Sequence, residues 1–163
     1  MTETNSSRKA ALRQTMEADH AACMAILRRV RDDQWATPVP SEEGAQWTAR
    51  DVLAHMAGSE AGQLGQIQRA VAGGVTVPDD FDVNRYNKRA VQKAASVSVA
   101  DHLATLERDY QAVLAELDKV TDADLDKAGR HARGDTLTVA QFFHRITEHR
   151  RQHAEALAHV LGL

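Results

Sequence analysis

The sequence predicts an all-α protein, a four-helix bundle with a long crossover connection between its second and third helices. Three observations carry this expectation. Alanine is the commonest residue, whereas the 163 residues hold only two Trp, two Tyr, three Phe and three Pro; such a mixture favours helix and lets backbones approach closely. Apolar residues recur at spacings of three, four and seven in four long stretches, and strand-like alternation is nearly absent. Three of those stretches open with Ser or Thr followed three residues later by Asp or Gln, the pattern in which side chains satisfy the first backbone N–H groups of a helix.

The first helix is expected over 7–35, capped by Ser6 or Ser7, with Leu12, Met16, Cys23, Ile26, Leu27 and Val30 forming its apolar stripe. Pro38, Pro40 and Gly44 make 36–46 a loop. The second helix spans 48–72: Thr48 caps it, Asp51 reaches back, Trp47 is the preceding staple residue, and Val52, Leu53, His55, Met56 and Leu64 face inward. Gly73-Gly74 ends it, and 75–96 is a long connection, helical around 84–93, that allows a non-sequential topology. Ser98 and Asp101 open the third helix, 98–120, which carries Leu103, Leu106, Tyr110, Val113, Leu114 and Leu117. A polar loop from Thr121 to Asp135 follows, and Thr138 with Gln141 starts the fourth helix, 138–161. The length suits one domain over 1–163.

Twenty basic and 23 acidic residues leave a formal charge of −3, spread along the chain, so no electrostatic footprint for nucleic acid is visible. One cysteine, Cys23, excludes an internal disulfide, a Cys-rich zinc site and a CxxC pair. The N-terminus lacks an apolar targeting run, and no stretch approaches the ~18 apolar residues of a membrane span. A cytoplasmic protein with a small-molecule substrate, and neither nucleic acid nor membrane as partner, is expected; a homodimer is left open.

On the fourth helix, Phe142, Phe143, Ile146, His149, Arg150, His153, Leu157 and Val160 share one stripe. His149 and His153 therefore face inward, with Cβ atoms about 6 Å apart, close enough to converge on one ion. A bare HxxxH more often marks two core-edge histidines. His55 alters the balance, because it too interrupts an apolar face in the same bundle. Three buried imidazoles each need partners, and a shared cation satisfies all three while leaving coordination positions open.

The run Trp47-Thr48-Ala49-Arg50-Asp51-Val52-Leu53-Ala54-His55, the link Asp82-Val83-Asn84-Arg85-Tyr86-Asn87 and the His149-x-x-x-His153 pair together resemble the DinB-like superfamily, over residues 35–163. That family includes bacterial low-molecular-weight-thiol transferases and the N-terminal domains of mycothiol-dependent maleylpyruvate isomerases. The resemblance implies a four-helix bundle holding a divalent metal on His55, His149 and His153. The isomerase branch implies a Glu where this chain has His149; Glu148 is one residue out of phase, so the three-His version is favoured.

His20, between Met16 and Cys23, is read as a hydrogen-bonded core-edge histidine that could approach the site, and His102, His131, His144 and His159 as solvent-facing. Cys23 is a small core residue. Glu148 is a candidate base or ligand-orienting carboxylate, and Arg85, Arg89 and Arg150 are candidates to grip the carboxylates of a thiol cofactor, with surface ion pairs as the alternative. The expected activity is transfer of a metal-activated thiol, mycothiol being one candidate, to a small electrophile. A hydrolase using metal-bound water and a non-catalytic metal-binding stress-response bundle are the alternatives. Three imidazoles suit zinc, nickel, iron or copper, and availability favours zinc.

Overall fold

The computed structural model describes residues 2–41 and 45–163. Four long helices form the bundle: α1 (Thr2–Leu27), α2 (Ala49–Val71), α4 (Val99–Lys119) and α6 (Val139–Leu161), with α3 (Val83–Lys93) and one turn of helix, α5 (Asp122–Leu125), in the connections. Two short antiparallel pairs, β1 (Pro38–Val39) with β2 (Trp47–Thr48) and β3 (Ala128–Arg130) with β4 (Thr136–Thr138), feed directly into α2 and α6. Among the described residues, no helix is long and apolar enough to cross a membrane.

The capping signals place the helix starts. Thr48 accepts from the Asp51 N–H while the Asp51 carboxylate accepts from the Thr48 N–H at 2.9 Å. Thr138 and Gln141 repeat the arrangement at α6, whose end is set by Gly162 in the left-handed conformation. At α4 only half of the expected box forms, the Ser98 hydroxyl accepting from Asp101 N–H.

Three expectations are corrected. The first helix stops at Leu27 instead of residue 35; a 3-10 turn over Asp32–Gln34 follows, in which Gln34 accepts from the Arg31 N–H. Its backbone is already helical at Ser6 and Ser7, so neither is the N-cap. The regions read as loops, 36–46 and 121–135, instead contain α5 and the strands β1 and β3, whose partners β2 and β4 follow directly, and the capping box of α5 joins Thr121 and Asp124; Gly44 lies outside the described residues.

Neighbouring helices are not in chain order: α1 packs chiefly on α6, and α2 on α4 and α6. Arg50, at the start of α2, donates to the carbonyls of Ala95 and Val97 just before α4 begins, and Gln68 near the end of α2 lies 3.5 Å from Glu116 near the end of α4. The two helices therefore run parallel. The chain returns between them through α3, which passes along α2 with Ala90 beside Gly58 and Tyr86 beside Gly62. Helices α1 and α6 run parallel to each other and antiparallel to α2, since Met16, Ile67 and Phe142 share one core cluster while Leu27, Leu53 and Leu157 share another.

Between these two apolar clusters lies a polar layer. Arg150 of α6 and Glu60 of α2, each 1% exposed, form an ion pair, and Arg150 Nη1 donates to the Leu106 carbonyl at 3.0 Å. Arg150 is thus buried and paired within the bundle, not a surface residue in an exposed ion pair. Burial pushes its guanidinium down to about 10, still protonated at neutral pH.

Strand β3 is held against the α2–α3 link by Thr76, whose hydroxyl donates to the Arg130 carbonyl at 2.6 Å. A Cβ at Gly129 would sit 2.5 Å from Thr76 Cγ2 and 3.3 Å from Ala70 Cβ, so the close approach requires glycine. Gly129→Ala is expected to cost roughly 1–3 kcal/mol through overpacking; a denaturant titration giving wild-type stability would remove that requirement.

Candidate metal centre

His55 stands on the second turn of α2, inward because Val52, Leu53 and Met56 around it are buried. His149 and His153, one turn apart on α6, face it across the antiparallel contact. The ring centroids of His55 lie 5.2 Å from His149 and 5.0 Å from His153, and those of His149 and His153 are 4.4 Å apart. One nitrogen from each can be chosen so that all three lie within 4.8 Å of one another, and His149 Nε2 and His153 Nε2 are 2.9 Å apart. Ligand nitrogens bound at about 2.0–2.1 Å to one ion are about 3 Å apart, so slight closure would bring the set to coordination distance. His149 Nδ1 is buried with no partner among the described residues. Trp47 leans on His55 from the β1–β2 side, its ring 5.4 Å away.

Two of the three rings have clearly lowered pKa values. Burial above all, then His153 and Arg133, pushes His55 down to about 4. Burial also holds His149 well below its ordinary value, with smaller effects from His153, His55, Arg133 and Arg145. At neutral pH these nitrogens are neutral, with lone pairs available to a cation. The unfolded chain binds a proton near pH 6.5 that folded His55 refuses, so stability falls as pH drops from about 6.5 towards 4. Metal-free protein should lose of order 3 kcal/mol across that window on account of His55. Urea titrations at stepped pH should show the slope, and His55→Gln should make it shallower, leaving the share that His149 contributes; an equal slope in the variant would refute the assignment.

The histidines sit at one end of a cavity of about 640 Å³, walled by α2, the α2–α3 link, α3, the β3–β4 turn and α6. Glu148 and Gln152 line it beside the histidine pair, Phe81 and Tyr86 form its apolar side, and Arg69, Arg133 and Arg145 its basic one. Arg85 and Arg89 are exposed and line an adjoining groove along α3 with Asp80 and Lys93, sharing Pro78, Phe81 and Tyr86 with the cavity. The cavity arginines were hidden from the sequence because Arg133 and Arg145 become wall residues only through the β3–β4 hairpin and the phase of α6.

His20 lies apart from this cavity, bonded to Glu107 at 2.8 Å and stacked on Tyr110 at 3.7 Å. His102 and His131 are buried at 4% and 7% exposure, correcting their reading as solvent-facing. His131 lines the cavity, and its Nδ1 accepts from the Arg133 N–H at 3.3 Å. His159 is exposed and His144 half-buried. Cys23 is wholly buried, with its thiol pushed up to about 11 by burial.

Several solved structures share this architecture. YfiT from Bacillus subtilis, described as a probable metal-dependent hydrolase with an unusual four-helix bundle topology, matches with a TM-score of 0.74 and 19% identity over 94% of this chain and 87% of that one. An uncharacterised protein from Clostridium difficile 630 matches at 0.73 and 15% identity, over 95% and 96%. The colibactin self-resistance protein ClbS, whose structure contains dsDNA, matches at 0.77 and 12% identity, over 95% and 96%. Its DNA is in tension with the expectation that nucleic acid is no partner here, although identities this low establish the fold alone. Among curated proteins, none matches significantly. The sequence profile of the DinB superfamily matches residues 47–157, spanning all three histidines, and the chain belongs to that superfamily.

Proposed function

We propose that this protein is a divalent-metal-dependent enzyme that activates a low-molecular-weight thiol at His55, His149 and His153 for attack on a small electrophile. One observation carries the reading: the three imidazoles converge at the end of a cavity with room for a second substrate. A divalent ion held by neutral nitrogens keeps its full charge and lowers the pKa of a coordinated thiol or water. Zinc is favoured on availability; nickel and iron also suit imidazole.

The chain's own residues supply the rest. α6 fixes two nitrogens one turn apart, α2 brings the third, and Trp47 covers one side of His55. Glu148, on the wall beside His149, would accept the thiol proton. The sulfur then bonds to the electrophilic carbon as its leaving group departs with the bonding pair. Burial, together with the high pKa of its thiol, leaves Cys23 no part in this step.

A second reading, hydrolysis by the same centre, is favoured by the description of YfiT. Zinc-loaded protein incubated with monochlorobimane and 1-chloro-2,4-dinitrobenzene, with and without N-acetylcysteine, separates the two. Loss that requires the thiol supports transfer; loss with metal alone supports hydrolysis; neither, with metal bound, supports a non-catalytic bundle. Cys23→Ser should retain turnover within about a factor of two, since a buried thiol of high pKa is a poor nucleophile.

A further inference from the structure

The chain is acidic overall, with a formal charge of −3, but its cavity is not. Among the described residues, three arginines line it against a single carboxylate, Glu148, and they come from three elements: Arg69 from α2, Arg133 from the β3–β4 turn and Arg145 from α6. Arg69 is fixed to the wall by donation from Nε to the Thr76 carbonyl at 2.9 Å. Arg145 makes a long ion pair with Asp135 at 3.5 Å, and its side chain is 34% exposed. It stands one helical turn before His149, a rise of about 6 Å. Arg133 is near enough to depress both His55 and His149.

A second feature is independent of charge. Gln66, 6% exposed, lines the same cavity and has a buried amide oxygen with no hydrogen-bond partner among the described residues; the neighbouring Gln63 oxygen is in the same condition. Unsatisfied buried polar atoms are costly. Two of them on one wall of a cavity are best explained by a ligand that completes them. Both lie on α2, on the cavity face that carries Ser59 and His55.

We infer that the cavity takes a small organic carboxylic acid, its carboxylate held by Arg145 and Arg133, a hydroxyl or amide in its middle meeting Gln63 and Gln66, and its reacting end at the three histidines. The planar N–H fork of arginine matches a carboxylate, and a single turn of α6 between Arg145 and His149 suits a ligand only a few bonds long. The inference rests on the proposed function, in which the histidines mark the reacting end, and it names the substrate class for that site.

The test is calorimetric binding to zinc-loaded protein of N-acetylcysteine and its uncharged analogue N-acetylcysteinamide. Wild type should prefer the acid by at least tenfold, Arg145→Gln should abolish the preference, Arg133→Gln should reduce it, and Arg145→Lys should retain part. Circular dichroism melts verify that the variants fold. Inorganic phosphate and succinate, added as competitors, distinguish the acid group: displacement by succinate and not phosphate is expected. Equal affinity for the two thiols, a preference that survives Arg145→Gln, or displacement by phosphate alone would overturn the inference. If neither thiol binds but succinate does, in an Arg145-dependent manner, the carboxylate site stands and the thiol reading falls. If succinate fails as well, the carboxylate site falls.

Discussion

His55→Ala should abolish stoichiometric metal binding, lowering affinity by about two orders of magnitude or more, and leave the helical fold intact. Its ring supplies the α2 nitrogen of the cluster, and the α6 pair cannot replace it, because His149 and His153 already contribute their own. Metal binding and folding are coupled through such ligands. The fold should survive because the vacated volume adjoins the open cavity, so water can enter. The substitution also removes a ring that resists protonation, which favours the metal-free variant below about pH 6.5. Metal analysis after dialysis, with thermal melts at increasing zinc, checks both parts. Wild type should gain melting temperature with zinc concentration as mass action requires, and the variant should not. A variant retaining one equivalent of zinc would end the three-histidine assignment.

Arg150→Met should be strongly destabilising, costing about 3–5 kcal/mol by leaving Glu60 charged and buried without its partner. For a chain of this size that corresponds to a fall in melting temperature of roughly 6–20 °C. Adding Glu60→Leu should restore much of the loss, since a buried ion pair is often replaceable by apolar side chains. Recovery should be incomplete, because the Leu106 carbonyl loses the donor it has in Arg150 Nη1. Denaturant titrations of both single variants and the double variant give the coupling energy. Additive losses, with no recovery in the double variant, would mean that the two charges are not a pair.

The bundle was legible where the chain announces its own structure locally. Thr48 with Asp51 and Thr138 with Gln141 mark helix starts through hydrogen bonds spanning three residues, and the apolar period between them belongs to a single helix. The end of α1 was not legible, because Arg28 to Gln34 contains neither glycine nor proline and Val30 prolongs the period; the stop comes from Gln34, which accepts from the Arg31 N–H and donates to the Leu161 carbonyl far along the chain. The β pairs, two and three residues long, are too short to display alternation.

The histidine cluster was legible because His55, His149 and His153 each interrupt an apolar stripe. The same signal is present at Glu60 and Arg150, at stripe positions between Met56 and Ile67 and between Ile146 and Ala154, but from the sequence Glu60 is not singled out and Arg150 is read as a cofactor contact or surface ion pair. A charge on an apolar stripe does not name its partner, which only the antiparallel contact of α2 with α6 supplies. Val160, counted on the stripe, is 41% exposed, whereas the next residue, Leu161, packs against the second core cluster.

The packing of α1 on α6 has a consequence during synthesis. More than a hundred residues separate the two helices, so α1 leaves the ribosome with most of its apolar stripe uncovered, and beyond what α4 and α5 cover it stays so until Val139–Leu161 follows. Contacts this distant in sequence slow folding and prolong exposure of sticky surface. Until α6 emerges, the nascent chain also holds only one of the three imidazoles, so ion capture must follow, and cannot guide, the collapse of the first helices.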